Sequence, residues 1–151
     1  MRAVRQAITF LATGAYVGRV PVAPGTFGSA LAIPLLLLLP RFGLSPATMI
    51  ALIASVVALA MVICHRAGGG HAEVDRSEIV LDEVCGMLVA GAFIAPNAVS
   101  LALVFLVFRI LDIVKPFPAR YLDRRVKNGF GVVADDVVAG LYTNLLVRAL
   151  T

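Results

Sequence analysis

Acidic residues are missing from the first 72 positions of this chain, and tryptophan is missing from all 151. Only 15% of the residues are charged, whereas an ordinary soluble domain carries about 25%. The hydrophobic share is 60%, and the mean hydropathy is +0.96. This composition excludes an ordinary soluble protein and indicates an integral membrane protein. The length is that of one domain, so we predict a single membrane-embedded domain over residues 1–151.

Side chains that serve as enzyme nucleophiles are also scarce. Neither of the two cysteines, Cys64 and Cys85, has the arginine six positions later that a thiol phosphatase requires, and a disulfide framework is not expected. The two histidines, His65 and His71, lie close together and lack the pattern of a histidine-nucleophile lipid phosphatase. The nearest match to the Asp-x-Asp motif of haloacid-type enzymes is Glu-Val-Asp at 73–75. Water activated by a metal ion remains as the nucleophile, although an aspartate is an open alternative.

The apolar residues are grouped in five segments, at 26–40, 46–64, 79–95, 99–114 and 132–150. The second has 19 residues without a charge and best suits a bilayer core of about 30 Å. Pro34 predicts a kink or break in the first. The N-terminal stretch MRAVRQAITFLATG begins like a signal peptide, but no small-residue cleavage site follows it. We predict an all-α polytopic bundle of about five apolar helices plus a retained N-terminal amphipathic helix at the interface.

The distribution of basic residues predicts the orientation in the membrane. If each segment crosses once, the N-terminal region shares one face with the 65–78 and 115–131 loops. Of the 13 basic residues, only Arg41 and Arg148 lie on the opposite face, which leaves 11 on the first. If the first segment re-enters the membrane instead of crossing it, 8 basic residues lie on the first face and 5 on the other, so the first face still has more. The positive-inside rule therefore makes the first face cytoplasmic, and all nine acids lie on it.

Two pairs of adjacent acids, Asp82–Glu83 and Asp135–Asp136, stand at the start of apolar segments. A single acid there, such as Asp135, could simply cap a helix N-terminus and interact with its dipole. Two adjacent carboxylates repel each other unless a cation lies between them. Ligand sets made only of carboxylate oxygens suit Mg²⁺ or Mn²⁺. The pairs therefore predict a divalent metal site.

Polar residues suited to phosphate accompany these acids. Arg109, Asp112 and Lys115 are spaced three apart and predict one helix stripe. Cations beside a metal-binding carboxylate cluster are typical of a phosphate site. Thr26 and Ser29 follow a Pro-Gly turn, where they either cap a helix or cradle a phosphate. A basic run typical of residues that attract anionic lipid head groups comes later and consists of Arg120, Arg124, Arg125 and Lys127.

The chain resembles the phosphatidylglycerophosphatase A family in the stretches ATGAYVGRVPVAPGTFGSALAIP, DRSEIVLDEVCGM and FRILDIVKPFPARYLDRRVKNGFGVVADDVVAG. The resemblance covers most of the chain except 41–70. It implies a Mg²⁺-dependent membrane phosphatase that converts phosphatidylglycerol phosphate to phosphatidylglycerol and phosphate. Two departures are Asn128, where the family often has glycine, and Phe117, where it often has tryptophan. The functional residues implied by position are Asp75, Asp82, Glu83, Asp112, Lys115, Asp123, Asp135 and Asp136.

These observations lead to one assignment of roles. We expect Mg²⁺ to be bound by Asp82, Glu83, Asp135 and Asp136, with Asp112 completing the catalytic set. The expected substrate-binding residues are Arg109, Lys115, Thr26, Ser29, Asp75 and Asp123. The expected partners are a phospholipid and the bilayer, not nucleic acid, in the bacterial inner membrane with the site facing the cytoplasm. The alternative is a small cation or lipid transporter that uses the same acids as an ion site.

Overall fold

The computed structural model of the protein describes residues 2–68 and 77–151, and these ranges contain helices and no strand. The α-helices of the described ranges are α1 Arg2–Ala12, α2 Pro24–Leu38, α3 Pro46–Ala67, α4 Leu81–Gly91, α5 Ala98–Val114, α6 Ala119–Arg125 and α7 Gly129–Leu150. Short 3-10 turns occur at Val17–Arg19 and Leu39–Phe42. The predicted all-α class is confirmed.

Within the described ranges, three helical stretches are long and apolar enough to cross a membrane: Pro24–Phe42, Pro46–Ala67 and Gly129–Leu150. Each predicted apolar segment forms a helix, but α4 has 11 residues and α5 has 17. At a rise of about 1.5 Å per residue, α4 covers only about 16 Å of a core about 30 Å thick. The predicted count of about five spanning helices is therefore not confirmed. Pro34 lies inside α2 without breaking it.

The outer surface of the bundle is apolar along several helices. Leu59 on α3, Leu106 on α5 and Leu145 on α7 are all exposed. Large exposed apolar side chains on successive helices are typical of a surface that faces lipid. The bundle therefore has the exterior of an integral membrane protein, as the composition predicts.

Helix α7 is central and packs against α3, α4, α5 and α6. It approaches α4 closely at Gly140, where a Cβ atom would overlap the carbonyl oxygen of Gly86. Gly86 in turn lies against the Phe108 ring and the Asp136 carbonyl. Because neither glycine has a side chain, the backbones of α4 and α7 come close together. This contact brings the acid-bearing part of each helix beside the other.

The short helix α4 ends inside the bundle on a side-chain cap. The Nδ2 atom of Asn144 lies 3.4, 3.0 and 2.7 Å from the carbonyl oxygens of Val89, Ala90 and Ala92. The last carbonyl groups of a helix have no intrahelical partner, and leaving them unpaired in an apolar environment costs free energy. The Asn144 amide on α7 therefore allows α4 to stop where it does.

The helices share one polar end of the bundle. A Cβ atom on Gly25, at the start of α2, would overlap the carboxylate of Glu83 on α4 and approach Arg109 near the end of α5. A Cβ atom on Gly129, at the start of α7, would overlap the backbone of His65 at the end of α3. The starts of α2, α4 and α7 thus lie together with the ends of α3 and α5, in an up-and-down arrangement.

Helix α1 lies outside this bundle and packs along α3. Only Ala12 is buried, and both Arg5 and the apolar side chains of Val4 and Phe10 are exposed. The Ala12 carbonyl accepts a hydrogen bond of 2.9 Å from the Val80 amide, which attaches α1 to the start of α4. The location of α1 at a membrane interface stays a prediction.

Candidate active site

A cavity of about 570 Å³ occupies the polar end of the bundle. It lies where the starts of α2, α4 and α7 meet the end of α5 and the helix α6. The charged residues that line it are Asp82, Glu83, Arg109, Asp112, Lys115, Asp123, Arg124, Lys127, Asp135 and Asp136. Acids that are far apart in the sequence are thus gathered in one concave site, together with cations.

Three carboxylates in this cavity form a candidate metal site. Asp82, Glu83 and Asp136 each offer an oxygen, and the three oxygens lie within 4.8 Å of one another. Asp82 and Asp136 are buried, and each of the three side chains has one buried oxygen without a hydrogen-bond partner. Buried carboxylate oxygens without a donor are costly. A hard cation such as Mg²⁺ prefers ligands of this type, so the donor set fits the ion that the resemblance implies.

Asp135 has a different partner from its neighbour Asp136. Its Oδ2 atom accepts a hydrogen bond of 2.6 Å from the Lys115 ammonium group, while its Oδ1 atom is buried and unpaired. Lys115 also donates to Asp123 at 2.7 Å. The structure therefore gathers three of the four predicted metal ligands and pairs the fourth, Asp135, with a cation.

Lys115 owes its position to the end of α5. The helix stops at Val114, and Lys115 takes a left-handed conformation with φ of 49°. The predicted single stripe of Arg109, Asp112 and Lys115 is therefore wrong for Lys115, which has left the helix. Partial burial alone lowers the pKa of Lys115, but its hydrogen bonds to Asp123 and Asp135 outweigh burial and raise the pKa. Lys115 thus remains cationic at physiological pH.

Arg109 is another cation that lines the cavity. Its guanidinium donates to Asp112 at 2.5 Å and lies 3.4 Å from the Ser29 hydroxyl, while its Nε atom is buried and unpaired. Ser29 is fully buried and donates to the Gly25 carbonyl. A guanidinium has five N–H donors, so these contacts leave donors for a ligand. Asp112 and Ser29 fix the position of Arg109 beside the carboxylate of Glu83.

The remaining predicted residues differ in whether they line the cavity. Thr26 is near the start of α2, but it does not line the cavity. Asp123 lines it and is 43% exposed. Asp75 lies outside the residues that the structure describes. Arg124 and Lys127, which we assigned to the lipid surface, also line the cavity. Their closeness in sequence to Asp123, a residue implied by the resemblance, is the signal that could have found them.

The family model described as Phosphatidylglycerophosphatase A matches residues 10–151. The chain belongs to this family. The match includes every residue that lines the cavity, and it extends through 41–70, where we found no resemblance.

Individual relatives agree with the family assignment. Two are named Phosphatidylglycerophosphatase A, and each is 34% identical to this chain. The Escherichia coli (strain K12) protein aligns over 132 residues, which are 87% of this chain and 76% of the relative. The Haemophilus influenzae protein aligns over 145 residues, which are 95% of this chain and 88% of the relative. A Bacteroides thetaiotaomicron protein named "Putative phosphatidylinositol-3-phosphatase" is 34% identical over 144 residues, which are 91% of this chain and 89% of the relative. No solved structure gives a significant match.

Proposed function

We propose that this protein is a membrane-bound phosphoric monoester hydrolase that converts phosphatidylglycerol phosphate to phosphatidylglycerol and inorganic phosphate. Family membership and the names of two relatives support this activity. The geometric observation that carries the proposal is the group of unpaired carboxylate oxygens on Asp82, Glu83 and Asp136, with Arg109 and Lys115 in the same cavity. The same family membership disfavours a small cation or lipid transporter.

Asp82, Glu83 and Asp136 are the residues that would hold Mg²⁺. Their ligand atoms are all oxygen and lie close together, and one oxygen of each side chain is buried without a hydrogen-bond partner. A bound magnesium ion would supply Lewis-acid stabilisation of the phosphoryl oxygens. Without a cation, these three carboxylates, two of which are buried, would repel one another at this separation.

Arg109 and Lys115 provide the positive charge for the substrate. A phosphomonoester carries a charge of roughly −1.5 to −2 at pH 7 and has three acceptor oxygens. The guanidinium of Arg109 is held by Asp112 with donors to spare, and Lys115 remains protonated. Both side chains line the cavity into which the acids point. They bind and orient the terminal phosphate.

Asp135 is the residue to which we assign proton transfer. Its Oδ2 atom is fixed by Lys115, and its Oδ1 atom has no partner and can accept the proton of an attacking water. An acceptor with one oxygen held in place and the other available has the arrangement that general-base catalysis requires. An attack by an aspartate itself is the alternative: it would release phosphatidylglycerol and form an aspartyl-phosphate intermediate, which water would hydrolyse in a second step to release inorganic phosphate.

The site belongs at the cytoplasmic surface of the bacterial inner membrane. The described acids lie at the polar end of the bundle, whereas Arg41 and Arg148 lie at the opposite end, beyond α2 and near the end of α7. The positive-inside rule supports a multi-pass protein with the polar end in the cytoplasm. A lipid substrate would then present its head group to the cavity from the inner leaflet.

The test is phosphate release from phosphatidylglycerol phosphate by the purified protein in mixed micelles. We expect phosphate release with Mg²⁺, loss of release with a chelator, and recovery when excess Mg²⁺ is added. No release under any of these conditions would reject the proposed activity. Cation flux into proteoliposomes without phosphate release would support the transporter instead.

A further inference from the structure

A second cavity, of about 470 Å³, lies beside α6. Its walls include Arg120, Arg124 and Arg125 together with Phe117 and Tyr121, and we name this set the arginine groove. Lys115 and Arg124 line both the arginine groove and the acid-lined cavity. Because two side chains are shared, the groove adjoins the site that holds the three carboxylates.

The two adjoining cavities differ in charge. The arginine groove has cations on its walls and no acid among the described residues that line it. Arg120 donates to the Val114 carbonyl at 3.0 Å, and Arg125 lies 6.0 Å from the centre of the Tyr121 ring. Arg124 makes no ion pair within 2–68 or 77–151. The groove therefore has uncompensated positive charge and is suited to an anion.

Apolar side chains border the same groove. Phe117 is 77% exposed, and Ile113 and Val114, at the end of α5, are exposed as well. Arginine beside exposed aromatic and aliphatic residues is typical of the membrane–water boundary, where a lipid phosphate lies next to its acyl chains. The occupant that matches both features is a phospholipid rather than a free anion.

We infer that the arginine groove binds the phosphodiester of the substrate, the phosphate that joins the glycerol head group to diacylglycerol. The inference rests on the proposed function. Phosphatidylglycerol phosphate carries two phosphates, and its terminal phosphomonoester would occupy the acid-lined cavity while its phosphodiester lies against Arg124 and Arg125. A glycerol unit separates the two phosphates, which agrees with two cavities that share walls.

This arrangement determines substrate preference. A lipid such as phosphatidic acid has a phosphomonoester but no phosphodiester, so it would lose the contacts in the groove. The product phosphatidylglycerol keeps the phosphodiester, so it would remain bound there after the terminal phosphate has left. The arginine groove therefore favours substrates with a phosphodiester and gives the product measurable affinity.

The test uses direct binding to purified protein in a nonionic detergent with Mg²⁺ present. Short-chain phosphatidylglycerol probes the phosphodiester subsite, and inorganic phosphate probes the acid-lined cavity, both by calorimetric titration. The variants are Arg124→Gln and Arg125→Gln. Arg66→Gln is the matched control because Arg66 is exposed in the last turn of α3 and lines neither cavity. Size-exclusion chromatography and helical circular dichroism verify that each variant folds.

We expect Arg124→Gln and Arg125→Gln each to weaken phosphatidylglycerol binding at least tenfold, and Arg66→Gln to change it less than twofold. Arg125→Gln should leave the affinity for inorganic phosphate within twofold, because Arg125 lines the arginine groove but not the acid-lined cavity. The inference is overturned if the unsubstituted protein does not bind phosphatidylglycerol, if the groove variants match Arg66→Gln, or if Arg125→Gln weakens both ligands equally. Binding needs no turnover, so a failure of the proposed activity is seen separately as absent phosphate release.

Discussion

The two adjacent acids on α7, Asp135 and Asp136, have different partners. Asp135 is paired with Lys115, whereas Asp136 joins Asp82 and Glu83. Consecutive residues on an α-helix point about 100° apart, so two adjacent aspartates cannot share all their partners. The two adjacent aspartates therefore have different surroundings: Asp135 contacts a cation of the protein, and Asp136 belongs to the candidate metal site.

The metal role of Asp136 can be tested by binding alone. Asp136→Asn removes one charged oxygen from the group of three, and we expect it to weaken Mn²⁺ binding by at least tenfold. Electron paramagnetic resonance of free Mn²⁺ during a titration of purified protein measures this directly. Asp123→Asn is the control because Asp123 is half-exposed and outside the group. Equal Mn²⁺ affinity in the two variants would remove Asp136 from the ligand set.

The pairing of Lys115 with Asp135 predicts that the two residues act as a unit. We expect Lys115→Ala to lower kcat/KM at least tenfold, which corresponds to about 1.4 kcal/mol of transition-state stabilisation. Asp135→Asn should be at least as damaging. Because Lys115 holds Asp135 in place, the effects of the two substitutions should overlap, and the double variant should be no more than about threefold worse than the poorer single variant. Losses that simply multiply would mean that the residues act independently.

At the scale of helices, the packing of α4 on α7 creates the site. The two glycines at the contact, Gly86 and Gly140, let the backbones approach, and Asn144 closes the end of α4. Asp82 and Glu83 occupy the first turn of α4, so any shift of this helix moves two of the three metal-site carboxylates. The positions of these carboxylates therefore depend on residues that do not line the cavity.

Gly140→Val tests this dependence. The added side chain would meet the Gly86 carbonyl, and overpacking against backbone costs about 1–3 kcal/mol or more. We expect a lower unfolding temperature in detergent together with weaker Mn²⁺ binding. Ala51→Val is the control because Ala51 is exposed on α3, where bulk can be added freely. A Gly140→Val protein as stable and as metal-competent as Ala51→Val would show that the close approach is dispensable.

Much of this architecture can be predicted from the sequence. Long apolar runs separated by polar turns indicate which segments are helical. Because successive segments run in opposite directions, the sequence also predicts that the acids meet at one end of the bundle. The length of α4 cannot be predicted in this way, because its end depends on Asn144, more than 50 residues later. The division between Asp135 and Asp136 depends equally on the left-handed turn at Lys115, which no local pattern indicates.

At the scale of the whole molecule, the charge distribution predicts orientation. We expect the end of α3, near Arg66, to be cytoplasmic and the C-terminal residue Thr151 to be on the other side. Cysteines introduced at these positions can be labelled in spheroplasts with an impermeant maleimide, after Cys64 and Cys85 are replaced by alanine. Thr151→Cys should react in intact spheroplasts, and Arg66→Cys should react only after lysis. The reverse pattern would invert the topology.

We propose above all that a carboxylate site at the cytoplasmic end of an apolar bundle removes the terminal phosphate of phosphatidylglycerol phosphate. The most direct measurement is the rate of phosphate release from this lipid by the unsubstituted protein and by Asp82→Asn, across a range of Mg²⁺ concentrations. We predict Mg²⁺-dependent release by the unsubstituted protein and a loss of at least 100-fold in Asp82→Asn at every concentration. Release that needs no divalent ion, or that survives in Asp82→Asn, would show that this carboxylate site is not the catalytic one.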